Sequence, residues 1–582
     1  MQKLTLSIII ASFFVQIGCS QHTVFDNGSK ITLPALSNEL TTNLEILGRI
    51  WGFLKYHHPA IANGNYNWDY ELLRILPGYL KVKNNRERDN ILTTWIEKYG
   101  GIPVCKTCEP TSNAAVLKPD LLWIDNSNLS NDLKSKLKEI YNNRHQGENY
   151  YIALQPHVGN PDFTHENAYP NMPYPDDGFR LLSLYRYWNM IKYFYPNKHL
   201  TNKKWNTVLK EYIPKFINSK NELEYELAAL MLIGELDDSH ANLWAGGDKI
   251  SEFRGTNFAP FRGEFIENKF VVTDYYNPEF SGAAKLKIGD IITHINGKTI
   301  NSIVDSLTPY YPASNEAAML RDISIDLLRS SQNTMNLRYI SDNKSKEDEI
   351  SLYPKEKLNM YHWYKVNKDE KCFKLLANNI GYITLATIKN EDVPEIKKSF
   401  KYTKGIIIDI RNYPSTFVPF ALGSYFVSKR TPFVKFTQGN IDNPGEFTFT
   451  KSTEIASDNN DYNGQLVVLV NENSQSQAEY TAMALRATEN STIIGSTTAG
   501  ADGNVSTIFL PGGLRTMISG IGIYYPNGKE TQRIGIVPDI TVKPTIEGIK
   551  KSKDEVLEKA IELINKLTTL RQPQDETKKF NQ

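Results

Sequence analysis

The chain has 582 residues, of which 40% are hydrophobic and 11% aromatic, enough for about three or four domains with cores of their own. Lys and Arg number 66 against 65 for Asp and Glu, a formal net charge of +1, which excludes a global basic face for nucleic acid and leaves only local patches open.

Residues 1–18 read as a targeting segment. Lys3 supplies a short positive region, and Leu4 to Ile17 is mostly apolar but too short to span a bilayer comfortably. Small residues lead into a cysteine at Ile17-Gly18-Cys19-Ser20. This stretch resembles a bacterial lipoprotein signal, which implies lipidation of Cys19 and a lipid anchor in the cell envelope, at the outer membrane, with its face left open. Gln16 departs from the apolar residue usual at its place, so a plain secretory signal is the alternative. Both readings predict export. No other apolar run is long enough to span a membrane.

Two segments then match at a constant offset. Arg49-Ile50-Trp51 through Lys55-Tyr56 and Pro59 repeats as Arg186-Tyr187-Trp188 through Lys192-Tyr193 and Pro196. Trp68, Pro77 and Asn84 repeat as Trp205, Pro214 and Asn221. Helical apolar spacing in both (Leu44, Leu47, Trp51, Leu54; Leu181, Leu184, Trp188, Ile191) predicts a duplicated helical unit with an aromatic core. Cys105-Lys106-Thr107-Cys108 lacks the second ligand pair that a zinc site needs, so a local disulfide is the expectation in an exported chain, with a redox role as a lesser alternative. Residues 111–175, rich in Asn, Asp and Pro, read as linker and irregular chain with one strand over Tyr150 to Leu154.

The second copy continues where the first does not, into Gly234-Glu235-Leu236-Asp237-Asp238-Ser239-His240. A helix ending near Leu236 leaves Ser239-His240 on a turn that can present an imidazole to a cleft. Downstream, Phe270-Val271-Val272 reads as a strand, and 283–298 as helix, Gly-Asp turn, strand and Asn296-Gly297 hairpin turn. This body resembles a PDZ domain, which implies binding of extended peptide by strand addition.

From Ile380 strands and helices alternate, as in an α/β layer. Ile380 to Leu385 is a strand, and Gly405 to Asn412 is a buried strand running into Tyr413-Pro414-Ser415-Thr416. Leu466 to Val470 is another, followed by a polar turn, a helix from about Ala478, a strand at Thr492 to Gly495 and a Gly-rich loop. Strand, sharp turn, serine, helix is the geometry that exposes a nucleophile beside backbone N–H groups. Lys551 to Leu570 has amphipathic spacing and is expected to pack on this core, with a disordered tail after it.

Three motifs in order, the Ser239-His240 turn, the Ile408-Asp409-Ile410-Arg411-Asn412 strand end and Ser476-Gln477-Ala478-Glu479 with its Gly-rich loop, resemble the C-terminal-processing (tail-specific) serine proteases, in particular their tricorn-core-like branch. The likeness covers residues 220–545 and implies a multidomain α/β (α+β) fold with a crotonase/ClpP-like αβ-layered core. Its implied map is signal 1–18, linker 19–36, helical repeats 37–110 and 176–250 around the irregular 111–175, PDZ-like module 255–345, protease core 360–546, helix 550–570 and tail 571–582.

The family nucleophile falls on Ser476, and Ser474 reads as a turn residue. The lysine that the tail-specific branch uses as base falls on Ala501, so the resemblance implies histidine instead: His240 as base, oriented by Ser239. The glutamate expected to complete the site falls on Gln532, with Glu530 as the alternative. Ser415 and Thr416 replace the usual Gly-Gly, and the N–H groups of Ser415 and Gln477 are the implied oxyanion hole. The resulting expectation is an exported serine endopeptidase acting on peptides or proteins without metal or cofactor. A catalytically impaired binding protein and a cell-envelope scaffold are the alternatives.

Overall fold

The computed structural model describes residues 24–281, 285–360, 370–459 and 462–571. Cys19, the signal segment, Ala283-Ala284 and the tail beyond residue 571 lie outside them.

Each matching segment forms three long helices, and the first also a single turn at Pro59–Ala62. They are α1 (Asn38–His57), α2 (Trp68–Tyr79) and α3 (Asn85–Glu97), then α4 (Asp177–Phe194), α5 (Trp205–Ile217) and α6 (Glu222–Gly234). A buried indole N–H needs an acceptor. Trp51 and Trp68 solve this by exchange, each donating to the other's carbonyl at 3.0 and 2.9 Å; Trp188 and Trp205 do the same at 2.9 and 3.0 Å. Asn84 and Asn221 cap α3 and α6, each accepting the N–H three residues on, from Glu87 and Glu224, at 3.0 Å. The first helices meet where Gly52 of α1 faces Asn189 of α4. A Cβ on Gly52 would fall 1.9 Å from Asn189 Cγ.

Residues 111–175 are less irregular than their composition predicts. Leu122–Asn126 and Asn131–Asn142 are helices. The second is capped by Ser130 and buries Leu133, Leu137 and Ile140, a short stripe hidden among Asn and Lys. The strand expected over Tyr150 to Leu154 is reduced to Ala153–Leu154, paired with Pro161–Asp162. Asn149 Oδ1 accepts the Tyr151 N–H at 2.9 Å and turns the chain there. Cys105 and Cys108 are joined in a disulfide, and Cys372 is free and buried.

A sheet of β1 (Phe261–Ile266), β2 (Lys269–Tyr275), β3 (Ile291–Ile295), β4 (Thr334–Ser341) and β5 (Lys344–Ser351) follows, in spatial order β5-β4-β3-β2-β1. Asn296 and Gly297 take φ of 48° and 79°, as a two-residue hairpin turn requires. Helix α7 (Glu316–Leu327) buries Ile323 and Leu327 in the same core as Phe261 of the edge strand β1.

The last layer is a sheet of β6 (Phe373–Leu376), β7 (Ile380–Thr384), β8 (Gly405–Asp409), β9 (Gln465–Val470) and β10 (Ser491–Gly495). It is parallel from β7 onward, with β6 antiparallel at the edge. After β9 the chain forms α8 (Gln477–Arg486), and after β10 a hairpin of β11 (Val505–Leu510) and β12 (Leu514–Ser519), before β13 (Ile540–Thr541) rejoins the sheet beside β10. Both strands β8 and β9 are buried along their whole length, the pattern of a parallel strand covered on two faces. Helix α9 (Glu555–Arg571) covers one face with Val556, Ala560 and Ile564 against Ile407, Val467 and Leu469. The hairpin leaves this layer: Ile508, Leu510, Leu514 and Ile518 belong to the helical core. Among the described residues no helix is long and apolar enough to cross a membrane.

Trp205→Phe keeps an aromatic ring but leaves the Trp188 carbonyl without its indole partner. It is expected to cost about 1–3 kcal/mol of stability, against about 3–5 kcal/mol for Trp205→Ala, read from denaturant midpoints by tryptophan fluorescence.

Candidate active site

Ser476 stands between β9 and α8 with φ 57° and ψ −121°, a backbone region that a β-carbon disfavours. The surrounding bonds hold it there. Its N–H donates to Ala501 O at 2.8 Å and to Glu479 Oε2 at 3.2 Å. Ser474 is the turn residue: its Oγ donates to Ile410 O at 2.7 Å, pinning the turn to the end of β8. Glu479 is buried and also accepts from Thr498 Oγ1, Gly500 N and Ala501 N at 2.5, 2.9 and 3.0 Å. Burial pushes its carboxyl up to about 7 against the pull of those donors. One side chain thus clamps the serine turn to the Gly-rich loop.

The second half of the site follows α6. Asp237 at φ 51° ends the helix and turns the chain. Asp238, fully buried, accepts from Ser519 N at 2.7 Å, Ser519 Oγ at 2.9 Å, His240 N at 3.1 Å and Gln532 Nε2 at 3.2 Å. His240 Nδ1 lies 2.8 Å from Ser519 Oγ and 3.9 Å from Asp238 Oδ1. A hydroxyl has one proton, and the Ser519 proton goes to Asp238. Nδ1 must then be the donor to Ser519, which assigns the tautomer with Nε2 bare. Burial holds the His240 pKa below the ordinary 6.5, with Asp238 pulling the other way.

His240 and Ser476 line one cavity of about 1140 Å³, together with Gln477, Tyr480, Arg321 and Asp502. Its walls come from the helical part, the β-rich module and the parallel-sheet layer. Arg321 of α7 donates to Glu472 O at 2.7 Å and to Gln475 Oε1 at 3.1 Å, gripping the serine turn from the module's side.

Three expected placements differ. Ser239 does not orient His240: it exchanges bonds with Ser314, N to Oγ at 2.9 Å in both directions, and so anchors the turn to the loop before α7. The orienting contact is made by Ser519 at the end of β12. Of the two residues offered to complete the site, Gln532 reaches Asp238, while Glu530 sits away from the cavity, 3.2 Å from His199 Nε2. The Ser415 N–H is committed to Leu385 O at 2.9 Å, because its own side chain bonds Ile388 O and folds the turn inward. The Gln477 N–H, at the first position of α8, has no acceptor among the described residues. Asp238 was readable as the acid beside Ser239-His240; nothing in its surroundings in the chain marks Ser519.

Residues 379–542 match the model of peptidase family S41. Among solved structures, mature CPAF is similar at 14% identity and a TM-score of 0.54, over 68% of this chain and 98% of that one. Mature CPAF complexed with lactacystin is similar at 14% identity and 0.52, over 68% and 99%. A photosystem II D1 C-terminal processing protease reaches 18% identity over 64% and 96%, with a TM-score of 0.37 that is too low to argue from. The two CPAF likenesses are likenesses of fold alone. No curated protein gives a significant match.

A bare Nε2 on a buried histidine activates a hydroxyl only while it is unprotonated. Labelling of Ser476 by a fluorophosphonate is therefore expected to rise with pH through an inflection below 6.5 and to be flat above it, measured as labelling rate against pH.

Proposed function

We propose that this chain, whose residues 379–542 match the model of peptidase family S41, is an exported serine endopeptidase acting on peptides or proteins, with Ser476 as nucleophile and His240 as general base. The observation that carries this is the pairing in one cavity of a strained serine on a strand-to-helix turn with a histidine whose Nδ1 is already engaged.

Nε2 of His240 takes the Oγ proton as Oγ attacks the peptide carbonyl. The Gln477 N–H donates to the oxyanion. The imidazolium then formed is stabilised by Asp238 through the Ser519 hydroxyl, and gives its proton to the leaving amine. Water, activated by the same Nε2, hydrolyses the acyl-enzyme. Gln532 and Ser239 are positioning residues, the first on Asp238 and the second on Ser314.

In this reading the β-rich sheet of 255–345 is a PDZ-like module that presents peptide, 37–110 and 176–250 are copies of one helical unit, and the core is crotonase/ClpP-like. The exchanged indole bonds and matching Asn caps support the duplication. Lipidation at Cys19 and attachment to the envelope membrane belong to the same proposal and rest on residues 1–20.

One observation favours a second reading, a peptide-binding protein with impaired chemistry. The Ser415 N–H is taken, so the oxyanion has one assigned donor, and a missing donor costs about 3–4 kcal/mol of transition-state stabilisation, on the order of 10²–10³ in rate.

Wild type is expected to take up a fluorophosphonate and cleave peptides, and Ser476→Ala to do neither. Peptide binding by an unlabelled wild type would establish the second reading. Ser519→Ala, which strips Nδ1 of its acceptor, is expected to slow labelling by on the order of 10² with the fold intact. Metabolic labelling with an alkyne fatty acid is expected to mark wild type and not Cys19→Ser; a shortened, unlabelled wild type would assign a plain secretory signal instead.

A further inference from the structure

Two buried carboxyls flank the Ser476 turn, and the fold treats them differently. Glu479 meets four donors. Asp502, 3% exposed, accepts the N–H of its neighbour Gly503 at 2.7 Å, and its Oδ2 is buried with no hydrogen-bond partner among the described residues. Burial and the nearby Glu479 push the Asp502 carboxyl well above the usual carboxylate range, against the pull of the Gly503 N–H. A half-satisfied buried carboxyl costs free energy.

Asp502 also lines the cavity of Ser476. Ala501, the residue before it, accepts the Ser476 N–H, so Asp502 starts beside the nucleophile. The neighbouring wall is apolar. Tyr480, one helical turn beyond Ser476, has its ring 5.7 Å from that of Phe417 and stacked on Phe436 at 6.3 Å. Phe417, Phe436 and Ile523 line the same cavity. Three cations line the same cavity: Arg321 is taken up by Asp322, Glu472 O and Gln475, Arg262 pairs with Glu264 at 2.8 Å, and Lys451 is the third. The recess thus combines an aromatic and aliphatic wall with one acid that the protein leaves unmatched.

We propose that Asp502 determines specificity: the recess takes a lysine or arginine side chain from the substrate residue whose carbonyl Ser476 attacks. The aliphatic stem lies on Tyr480, Phe417 and Phe436, where the rings also attract a cation. The cationic head pairs with the Asp502 carboxylate, whose proton passes to solvent as the charge arrives. The unpaired oxygen is then matched only in the complex, which is how a polar site rejects an analogue that lacks the group. This rests on Ser476 being the nucleophile.

The test uses the full-length protein and peptides that differ only at that position: lysine, arginine, glutamine or norleucine, the last matching the lysine stem without its charge. Lysine and arginine are expected to exceed norleucine in kcat/KM by at least about tenfold. Asp502→Asn is expected to abolish that advantage, bringing kcat/KM for the lysine and arginine peptides down to that for norleucine measured on the same variant. Binding of p-aminobenzamidine, followed by its fluorescence on Ser476→Ala, reads the recess without catalysis and is expected to vanish when Asp502→Asn is added. A wild type that prefers norleucine or glutamine overturns the proposal, as does an Asp502→Asn that weakens all peptides equally. Fluorophosphonate labelling separates the two readings. A labelled wild type that neither prefers lysine or arginine nor binds the amidine refutes the recess and leaves the peptidase mechanism standing. An unlabelled wild type that binds the amidine does the reverse. Should Asp502→Asn fail to fold, wild-type preference and amidine binding decide.

Discussion

The site depends on one buried carboxylate. Asp238 belongs to the turn after α6, yet its donors come from β12, from the closing loop at Gln532 and from its own turn. Breaking such a contact leaves a charge in a dry place, which costs more than the contact itself is worth. The helical part, the hairpin and the parallel-sheet layer are therefore held in one relative position by the group that also fixes Ser519, the partner of the His240 imidazole. Glu479 plays the corresponding part on the serine side, tying the turn to the Gly-rich loop.

The two turns show how local strain is maintained. A serine at φ 57° and an aspartate at φ 51° are each unfavourable alone. Each is over-determined by bonds to distant segments: Ser476 N–H to Ala501 O, and Asp237 to the Asn202 N–H and side chain. Rigidity at both turns is thus a tertiary property. Arg321 adds a third tie, from the β-rich module to the serine turn.

The elements were more legible than their contacts. An apolar run, a polar turn and a helix around Ser476 identify themselves by periodicity, and the repeated Trp, Pro and Asn positions locate two helical units. The helix Asn131–Asn142 escaped because three apolar residues among many Asn and Lys make a weak stripe. The partner of His240 escaped for another reason. A serine at the end of a strand is unremarkable in a chain, and only the return of β12 past Leu243–Ala245 brings it to the imidazole. Ser415 misled because a backbone donor cannot be read from residue type: its hydroxyl bonds Ile388 O and draws the N–H to Leu385 O.

The hairpin of β11 and β12 has a consequence for how the molecule is made. Ile508, Leu510, Leu514 and Ile518 complete the hydrophobic core of a helical part whose last helix ends at Gly234. Arg186 and Tyr225 reach across to the carbonyls of Phe509 and Pro511. A ribosome or a translocation pore delivers the chain from its N-terminus, so the helices emerge long before the strands that seal them. Until residue 519 is released they present an unfinished apolar face. The natural folding unit is therefore closed by its far end. A segment cut at 379–542 would carry the hairpin without the helices it was shaped to fill, and would lack His240 as well.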